Sequence, residues 1–283
     1  MKIVKKILIV GENSYIGVSF ARYASERYDI TIVGAKDGKW KACDFSAFDV
    51  VLHCAGIAHI PQKKNMRNLY YSVNCDLAVD VANTAKAAGV KQFIFLSSMA
   101  VYGNMRGEIT PETPPGATDF YGGSKVLAEQ KLIELQSINI CIVRPPMVYG
   151  YGCKGNFPRL VKLADKLPIF PKVQNKRSMI YIDNLCEFLC KVIEDNKNGI
   201  HLPQNAEYVN TTELVQTIAI VAGKRMRTTS VFNPLIFLLK KFIPSLDKLF
   251  GDLVYAKTGD EIEYNVVEFK EGVGLSCFCE KMP

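Results

Sequence analysis

The first half of the chain alternates short apolar runs with amphipathic stretches. The runs have the length of buried strands, and the stretches between them carry apolar residues at helical spacing. The pattern predicts strands near 6–10, 30–33, 50–54, 92–97 and 140–144. It predicts helices near 14–27, 64–89 and 120–137. Strands and helices in alternation, with strands apolar throughout, indicate an α/β fold: a Rossmann-type doubly wound parallel sheet.

The pattern loosens after residue 145, where five prolines interrupt a loop-rich stretch. We predict a strand or turn and a helix at 178–194, and a helix at 211–222. The segment 235–243 is strongly apolar but too short to span a bilayer. We expect it to form a buried helix rather than a membrane-surface segment. The tail from about Gly272 receives no assignment.

These elements divide the chain into two parts. We predict a Rossmann domain at 1–145, to which residues 175–205 return. A smaller C-terminal substrate-binding lobe covers the remainder, at 146–174 and 206–283.

Composition narrows the class of protein. The chain has 283 residues, 48% of them hydrophobic, and a net charge of +7 spread along its length. This distribution favours a solvated surface over nucleic-acid binding, and it suits an anionic substrate. Nine cysteines without regular spacing indicate reduced thiols in a cytoplasmic protein, with no metal site. The first apolar run, about five residues long, is too short for a signal sequence. His53 lies at the end of a predicted strand and His59 just beyond it. These two and His201 are expected to be polar loop histidines rather than catalytic residues.

The first motif is the loop Gly11-Glu-Asn-Ser-Tyr-Ile-Gly17, between the first strand and the first helix. Gly11 permits a tight turn, and Gly17 lets the helix pack close to the strand. Ser14, where glycine is usual, is small and can cap the helix. The helix N-terminus then presents free N–H groups to a pyrophosphate, so the loop predicts dinucleotide binding.

The end of the second strand should carry an acid that binds the adenosine ribose, but Gly34 stands there. Lys36 could meet the 2′-phosphate of NADP, and Asp37 could reach the 2′-hydroxyl of NAD. Asp44 could accept a hydrogen bond from the adenine amino group. The residues therefore leave NAD and NADP both open.

A serine and a tyrosine–lysine pair supply candidate chemistry. Tyr121 and Lys125 lie four residues apart, on one face of a predicted helix. The lysine ammonium can lower the pKa of the phenol, which can then exchange a proton with a sugar hydroxyl. Ser98 follows a central strand and can hydrogen-bond the same substrate oxygen.

Jointly, six motifs make the chain resemble a known family. They are GENSYIG at 11–17, HCAG at 53–56, SSMAVYG at 97–103, YGGSK at 121–125, RPPMVYG at 144–150 and RSMIYIDN at 177–184. The chain resembles the extended short-chain dehydrogenase/reductases, in the NAD-dependent nucleotide-sugar epimerase/dehydratase family of the UDP-galactose 4-epimerase type. The likeness covers about residues 5–205 well and the remainder loosely.

The resemblance implies a role for each matching position. The catalytic residues it implies are Ser98, Tyr121 and Lys125. The residues it implies for NAD or NADP are Gly11, Asn13, Ser14, Tyr15, Ile16, Gly17, Lys36, Asp44, Phe45, Ala55, Gly56, Tyr121, Lys125 and Pro145. Those it implies for a nucleotide-sugar substrate are Ser98, Met99, Tyr121, Asn156 and Arg177, the arginine binding the diphosphate. Met147 departs from the family's common asparagine. A homodimer through the helices at 64–89 and 120–137 is also implied, as is a role in polysaccharide precursor synthesis.

One departure from the family narrows the reaction. Sugar 4,6-dehydratases carry an Asp-Glu pair after the catalytic serine or threonine, and Met99-Ala100 stands there. Neither side chain can move a proton, so elimination of water is not expected. We predict a UDP-sugar 4-epimerase that works by transient C4 oxidation. The alternative is a nucleotide-sugar 4-ketoreductase using NAD(P)H. A non-catalytic NADP-sensing module is less favoured, because Ser98, Tyr121 and Lys125 are all present.

Overall fold

We describe the fold from a computed structural model of the chain. It describes residues 4–58, 60, 62–239, 242 and 244–278. The side chains of Asp37, Pro244, Ser245 and Phe278 are not described. His59, Lys240, Lys241 and Cys279 lie outside the described residues.

The described part of the chain forms twelve strands and eleven α-helices. The strands are β1 (Lys6–Val10), β2 (Asp29–Val33), β3 (Val50–His53), β4 (Gln92–Leu96), β5 (Gly107–Ile109), β6 (Asn139–Val143), β7 (Met147–Tyr149), β8 (Ile169–Pro171), β9 (Met179–Tyr181), β10 (Gly199–His201), β11 (Arg227–Thr229) and β12 (Leu253–Tyr255). The helices are α1 (Tyr15–Tyr23), α2 (Arg67–Tyr71), α3 (Leu77–Ala87), α4 (Phe120–Ile133), α5 (Asn156–Lys166), α6 (Ile182–Glu194), α7 (Thr211–Val221), α8 (Asn233–Leu239), α9 (Pro244–Phe250), α10 (Glu261–Tyr264) and α11 (Phe269–Phe278).

The central sheet has six strands in the order β10-β6-β4-β3-β1-β2, and every pair is parallel. The strand order reverses beside β1, as in doubly wound folds. Strands β3, β4 and most of β1 are buried on both faces, which explains why they are apolar runs without alternation. The α/β Rossmann-type prediction is therefore confirmed.

The chain divides into two compact units. The first comprises Met1–Asn104, Pro111–Pro146 and Leu185–Pro203, and it contains the six-stranded sheet. The second comprises Met105–Thr110, Met147–Asn184 and Gln204–Pro283. The sequence assigned 175–184 to the first unit, and the structure places them in the second. There β9 pairs with β7, and Ser178 hydrogen-bonds Gln204, so long-range partners decide the boundary.

The second unit is built from three two-stranded parallel sheets and short helices. Its sheets are β5–β12, β7–β9 and β8–β11. Helices α7 and α11 pack against each other, and α7 packs against α5. No described helix has both the length and the apolar character that crossing a bilayer requires.

Two predictions about burial are wrong. The helix predicted at 235–243 is α8, and it is exposed rather than buried: only Ile236 of its apolar side chains is buried. His53 ends β3, as the strand predicted at 50–54 implies, but it is fully buried against the rings of Phe93 and Phe95 and does not lie in a polar loop. His201 lies in β10 and hydrogen-bonds the Asn198 carbonyl.

Candidate active site

The predicted site begins where parallel strands end at one edge of the sheet. Gly11 follows β1, Ala55 and Gly56 come shortly after β3, and Ser98 comes shortly after β4. Because β1, β3 and β4 are neighbours in parallel register, these ends share one edge. Ligands of doubly wound sheets bind at this edge.

The glycine loop has the form of a pyrophosphate cradle. Gly11 has φ of +134°, and a Cβ there would lie 2.8 Å from the Ala55 nitrogen, so only glycine fits. Ser14 caps α1 by accepting a hydrogen bond from the Gly17 N–H at 3.2 Å. A Cβ on Gly17 would lie 3.1 Å from Ile9 Cγ2, which shows how closely α1 packs on β1. The residues present therefore fit a dinucleotide at the N-terminus of α1.

A carboxylate occupies the place that the sequence left without an acid. A Cβ on Gly34 would lie 2.7 Å from Oε1 and 3.0 Å from Oε2 of Glu12. The carboxylate at the end of β2 therefore comes from the glycine loop. Sequence reasoning missed Glu12, because the usual search looks about 20 residues downstream of the loop.

The other predicted adenosine contacts lie just beyond β2. Lys36 is exposed at the start of a 3₁₀ helix. Asp44 is exposed and accepts hydrogen bonds from the Ser46 hydroxyl and N–H, which lower its pKa. Phe45 is buried and packs edge-on against Trp40, with ring centroids 6.2 Å apart, so its side chain belongs to the core. The contact predicted for Phe45 can come from its backbone alone.

Tyr121 lies in the first turn of α4, close to Ser98. Asp119 caps this helix by accepting a hydrogen bond from the Gly122 N–H at 2.8 Å. Ser98 caps the 3₁₀ turn Met99–Tyr102, and its hydroxyl accepts from the Ala100 N–H. The Ser98 side chain lies close enough to the Tyr121 hydroxyl to lower the pKa of this phenol. The structure thus brings together the two groups that the sequence assigned to one substrate oxygen.

The predicted effect of Lys125 on Tyr121 is not seen. Burial raises the pKa of Tyr121, and the nearby Ser98 side chain lowers it only in part. The charges that act on this phenol are those of Asp119 and Tyr70, and both raise its pKa further. The i, i+4 spacing is correct, but the lysine is directed elsewhere.

Lys125 is buried and its ammonium faces β4. Its Nζ donates a hydrogen bond to the Leu96 carbonyl at 2.7 Å and lies 4.4 Å from the Phe95 ring centroid. Burial lowers the pKa of Lys125 to about 8. Burial also lowers the pKa of His53 to about 3, and the charge of Lys125 contributes.

Sequence reasoning missed Asn74, which lies fully buried in a π-helical segment, Ser72–Asp76. Its Oδ1 accepts from the Ile57 N–H at 2.7 Å, and its Nδ2 donates to the Ser124 hydroxyl at 3.1 Å. Asn74 therefore ties the turn after β3 to α4, next to Lys125. The only sequence signal is an asparagine within a helical pattern, whereas π-helical turns are frequent at functional sites.

A buried ion pair beneath the site was also missed. Arg144 Nε and Nη2 donate to the two Glu129 carboxylate oxygens at 3.0 and 2.6 Å. The Ser97 hydroxyl donates to the same carboxylate, and Arg144 Nη1 donates to the Tyr102 hydroxyl at 2.7 Å. Glu129 follows Tyr121 and Lys125 at intervals of four, so one face of α4 carries all three.

Pro145 and Met99 connect the ends of β6 and β4. The Pro145 carbonyl accepts from the Met99 N–H at 2.9 Å, and Pro145 is buried. Met99 and Ala100 are partly buried beside Ser98.

The remaining predicted substrate residues lie in the second unit. Arg177 is partly buried and donates to the Gly251 carbonyl at 3.4 Å. Burial lowers the pKa of Arg177, and Asp247 and Asp252 oppose this. Asn156 is exposed at the start of α5, and Met147 begins β7. Their roles stay predictions.

Comparison with known proteins decides the family. Residues 7–206 match the family described as NAD dependent epimerase/dehydratase family. The chain belongs to this family. It is an NAD(P)-dependent sugar-nucleotide enzyme of the extended short-chain dehydrogenase/reductase class, as the six motifs predicted.

Individual relatives and solved structures agree with this family assignment. A UDP-glucose 4-epimerase of Vibrio cholerae is 32% identical over 306 residues, which cover 96% of this chain and 91% of the relative. The fold resembles a UDP-glucuronic acid 4-epimerase from Bacillus cereus in complex with NAD, with TM-score 0.72, 19% identity and coverage of 96% and 97%. It also resembles a dTDP-4-dehydrorhamnose reductase from Bacillus anthracis in complex with NADP, with TM-score 0.70, 19% identity and coverage of 96% and 98%.

Proposed function

We propose that this family member is a nucleotide-sugar 4-epimerase that inverts C4 of a UDP-sugar by transient oxidation and reduction. The observation that carries the proposal is the nearness of the Tyr121 phenol to Ser98, which lowers the pKa of the phenol, with no acid or base at Met99 or Ala100. One phenol that exchanges one proton suffices for chemistry at a single carbinol carbon. The likeness to a UDP-glucose 4-epimerase over nearly the whole chain supports the same reaction.

The chain's own residues supply binding and proton transfer. The backbone of Gly11 and of residues 14–17 would hold the pyrophosphate, and the dinucleotide, when bound, supplies hydride exchange at C4. Because the pKa of Tyr121 is raised, the positive charge of a bound nicotinamide would be needed to favour its phenolate form. As phenolate, Tyr121 takes the C4 hydroxyl proton as the carbonyl forms. It returns that proton when the hydroxyl forms again with the opposite configuration. Ser98 hydrogen-bonds the same oxygen and orients it. Lys125, with a pKa of about 8, keeps most of its positive charge in the site at neutral pH.

The residues that we propose for binding of the sugar nucleotide are chosen by the chemistry of their side chains. We propose that Arg177 binds the diphosphate, because a guanidinium can bind phosphate oxygens in pairs. Asn156 and Met99 complete the proposed substrate contacts. A homodimer through α2, α3 and α4, and a cytoplasmic location, belong to the same proposal.

We further propose that the dinucleotide is NAD. The Glu12 carboxylate lies where an acid at position 34 would begin, so it can accept hydrogen bonds from the adenosine ribose hydroxyls. The same negative charge repels the 2′-phosphate of NADP. Lys36, the residue that would favour NADP, lies exposed beyond the strand.

Glu12→Gln tests this choice, because it keeps the shape and removes the charge. A hydrogen bond to a charged group contributes about 1.5–3 kcal/mol, so the preference for NAD should fall by about tenfold or more. The readout is the ratio of the dissociation constants for NAD and NADP, with Lys36→Gln as the control. A wild-type preference for NADP, or an unchanged ratio in Glu12→Gln, would contradict the proposal.

The epimerase is tested with the purified chain and no added cofactor. Interconversion of UDP-glucose and UDP-galactose, followed by NMR, together with NAD released by acid, is the expected result. The alternative is the 4-ketoreductase. A protein that carries no dinucleotide, and that consumes NADPH only with a 4-keto sugar nucleotide, would replace the epimerase by the reductase.

A further inference from the structure

Helix α8 and the turns on either side of it expose an unusual run of large apolar side chains. Within twelve residues, six such side chains are 50–78% exposed: Val231, Phe232, Leu235, Phe237, Leu238 and Phe242. We call these six residues the α8 surface. Single exposed apolar residues are ordinary, but a cluster of this size marks an interaction surface.

The α8 surface is held by definite contacts. Ile236 is buried on the inner side of the helix. The Asn233 amide donates to the Lys172 carbonyl at 2.8 Å, and the Val231 N–H donates to the Thr229 hydroxyl at 3.3 Å. The helix is therefore anchored by one apolar residue and a few polar contacts, and its outer face is the more apolar one.

Along the sequence, the charges that flank the α8 surface are of one sign. From Lys224 to Leu246 the sequence has five basic residues and no aspartate or glutamate. Arg225 and Arg227 precede the surface and are exposed. In the sequence, Lys240 and Lys241 stand between Leu238 and Phe242. An apolar face flanked by positive charge on both sides is the composition of a segment that lies in a membrane interface.

We propose that the α8 surface docks on the surface of an anionic lipid bilayer. The bilayer offers an apolar phase for Leu235, Leu238 and Phe242, and negative headgroups for the flanking lysines and arginines. A second copy of the chain fits less well, because a symmetric contact would bring two basic flanks together. The helix is far too short to span, so the contact is peripheral. This inference does not depend on the proposed epimerase reaction.

Vesicle flotation tests the proposal with the full chain. The probes are phosphatidylcholine vesicles with and without phosphatidylglycerol. We expect the wild-type chain to float with the anionic vesicles and to lose this binding as salt is raised. The triple variant Leu235→Ser, Leu238→Ser, Phe242→Ser should lower the partition coefficient at least tenfold. The variant Lys240→Gln, Lys241→Gln should lose the preference for phosphatidylglycerol.

A matched triple variant controls for the general loss of exposed apolar side chains. Ile133, Ile220 and Ile262 are 54–77% exposed elsewhere in the chain, and their change to serine should leave flotation unchanged. Thermal unfolding and NAD binding show whether each variant is folded. Absence of wild-type flotation, or equal flotation of the two triple variants, would overturn the proposal. Sedimentation velocity provides a further test. If the wild-type chain is a dimer that does not bind vesicles, and only the α8 triple variant is a monomer, the surface is a contact between copies and the proposal is refuted.

Discussion

Two buried cations lie along α4, and their surroundings differ. Arg144 meets the Glu129 carboxylate through two hydrogen bonds, and the Tyr102 hydroxyl accepts a third. Lys125, one turn from Glu129 on the same helix face, has the Leu96 carbonyl and the Phe95 ring. Burial lowers the pKa of both cations. For Arg144 the hydrogen bonds and charge of Glu129 outweigh burial, and its pKa rises. For Lys125 burial dominates, and the pKa falls to about 8.

The difference separates a structural charge from a reactive one. A buried cation with a bidentate carboxylate keeps its proton at any accessible pH, so it can only hold the structure together. A buried cation without such a partner has a shifted pKa, which is common at functional sites. Glu129, the partner of Arg144, stands on the same face of α4 as Lys125, so the Glu129–Arg144 pair fixes the helix that carries Tyr121 and Lys125.

The largest expected effect comes from breaking the buried Glu129–Arg144 ion pair. Glu129→Gln leaves the Arg144 charge buried without a carboxylate, and we expect the free energy of unfolding to fall by about 3–5 kcal/mol. Urea unfolding measures it. The double variant Glu129→Leu, Arg144→Met removes both charges and should recover much of the loss. A single variant that loses less than about 1 kcal/mol would show that the pair is not needed.

The next effect concerns catalysis rather than stability. Tyr121→Phe removes the proton-transfer group, and turnover should fall by about 10²–10⁴-fold. Unfolding and dinucleotide binding should change little. Tyr71→Phe removes a neighbouring hydroxyl, near Gly123, and should leave turnover close to wild type. Comparable losses in both variants would remove Tyr121 from its proposed role.

Lys125→Met tests the buried cation that has no carboxylate hydrogen-bonded to it. The folded pKa of Lys125, about 8, lies below its ordinary value of 10.5, so between these pH values the unfolded chain binds more protons. Wild-type stability relative to the variant should therefore rise from pH 8 to pH 10.5. This relative stability of the wild type should be lower below pH 8 than above pH 10.5, by about 3 kcal/mol. Unfolding free energies of both proteins across this range measure the effect, and a difference that does not vary with pH would refute it.

The smallest effect comes from the outer partner of Arg144. Tyr102→Phe removes one hydrogen-bond acceptor from the guanidinium and should cost about 1–3 kcal/mol of stability. Because Glu129 remains, the loss should be smaller than in Glu129→Gln. Dinucleotide binding at the Lys125 side should not change, and a matching loss there would mean that the two regions are coupled.

Much of the fold follows from local pattern. The strand at 6–10 matches β1 residue for residue, and the helix at 211–222 matches α7 to within one residue. The helix at 64–89 is interrupted by the π-helical segment that places Asn74, which periodicity cannot show. The segment 235–243 is apolar enough for a core, but whether other elements cover it depends on the rest of the unit. The amino-acid sequence of this segment alone could not show that the helix is exposed.

The sequence by itself determined the glycine loop, the apolar parallel strands and the spacing of Tyr121 and Lys125 on one helix face, because these depend on neighbours close along the chain. Only the tertiary structure decided that Lys125 faces the Leu96 carbonyl, that Arg144 neutralises Glu129, and that Glu12 stands at the end of β2. Partners in these contacts are up to 29 residues apart, and burial sets their charge states. The sequence pattern identifies the charged and reactive side chains, but the packing of the folded chain determines which groups they contact.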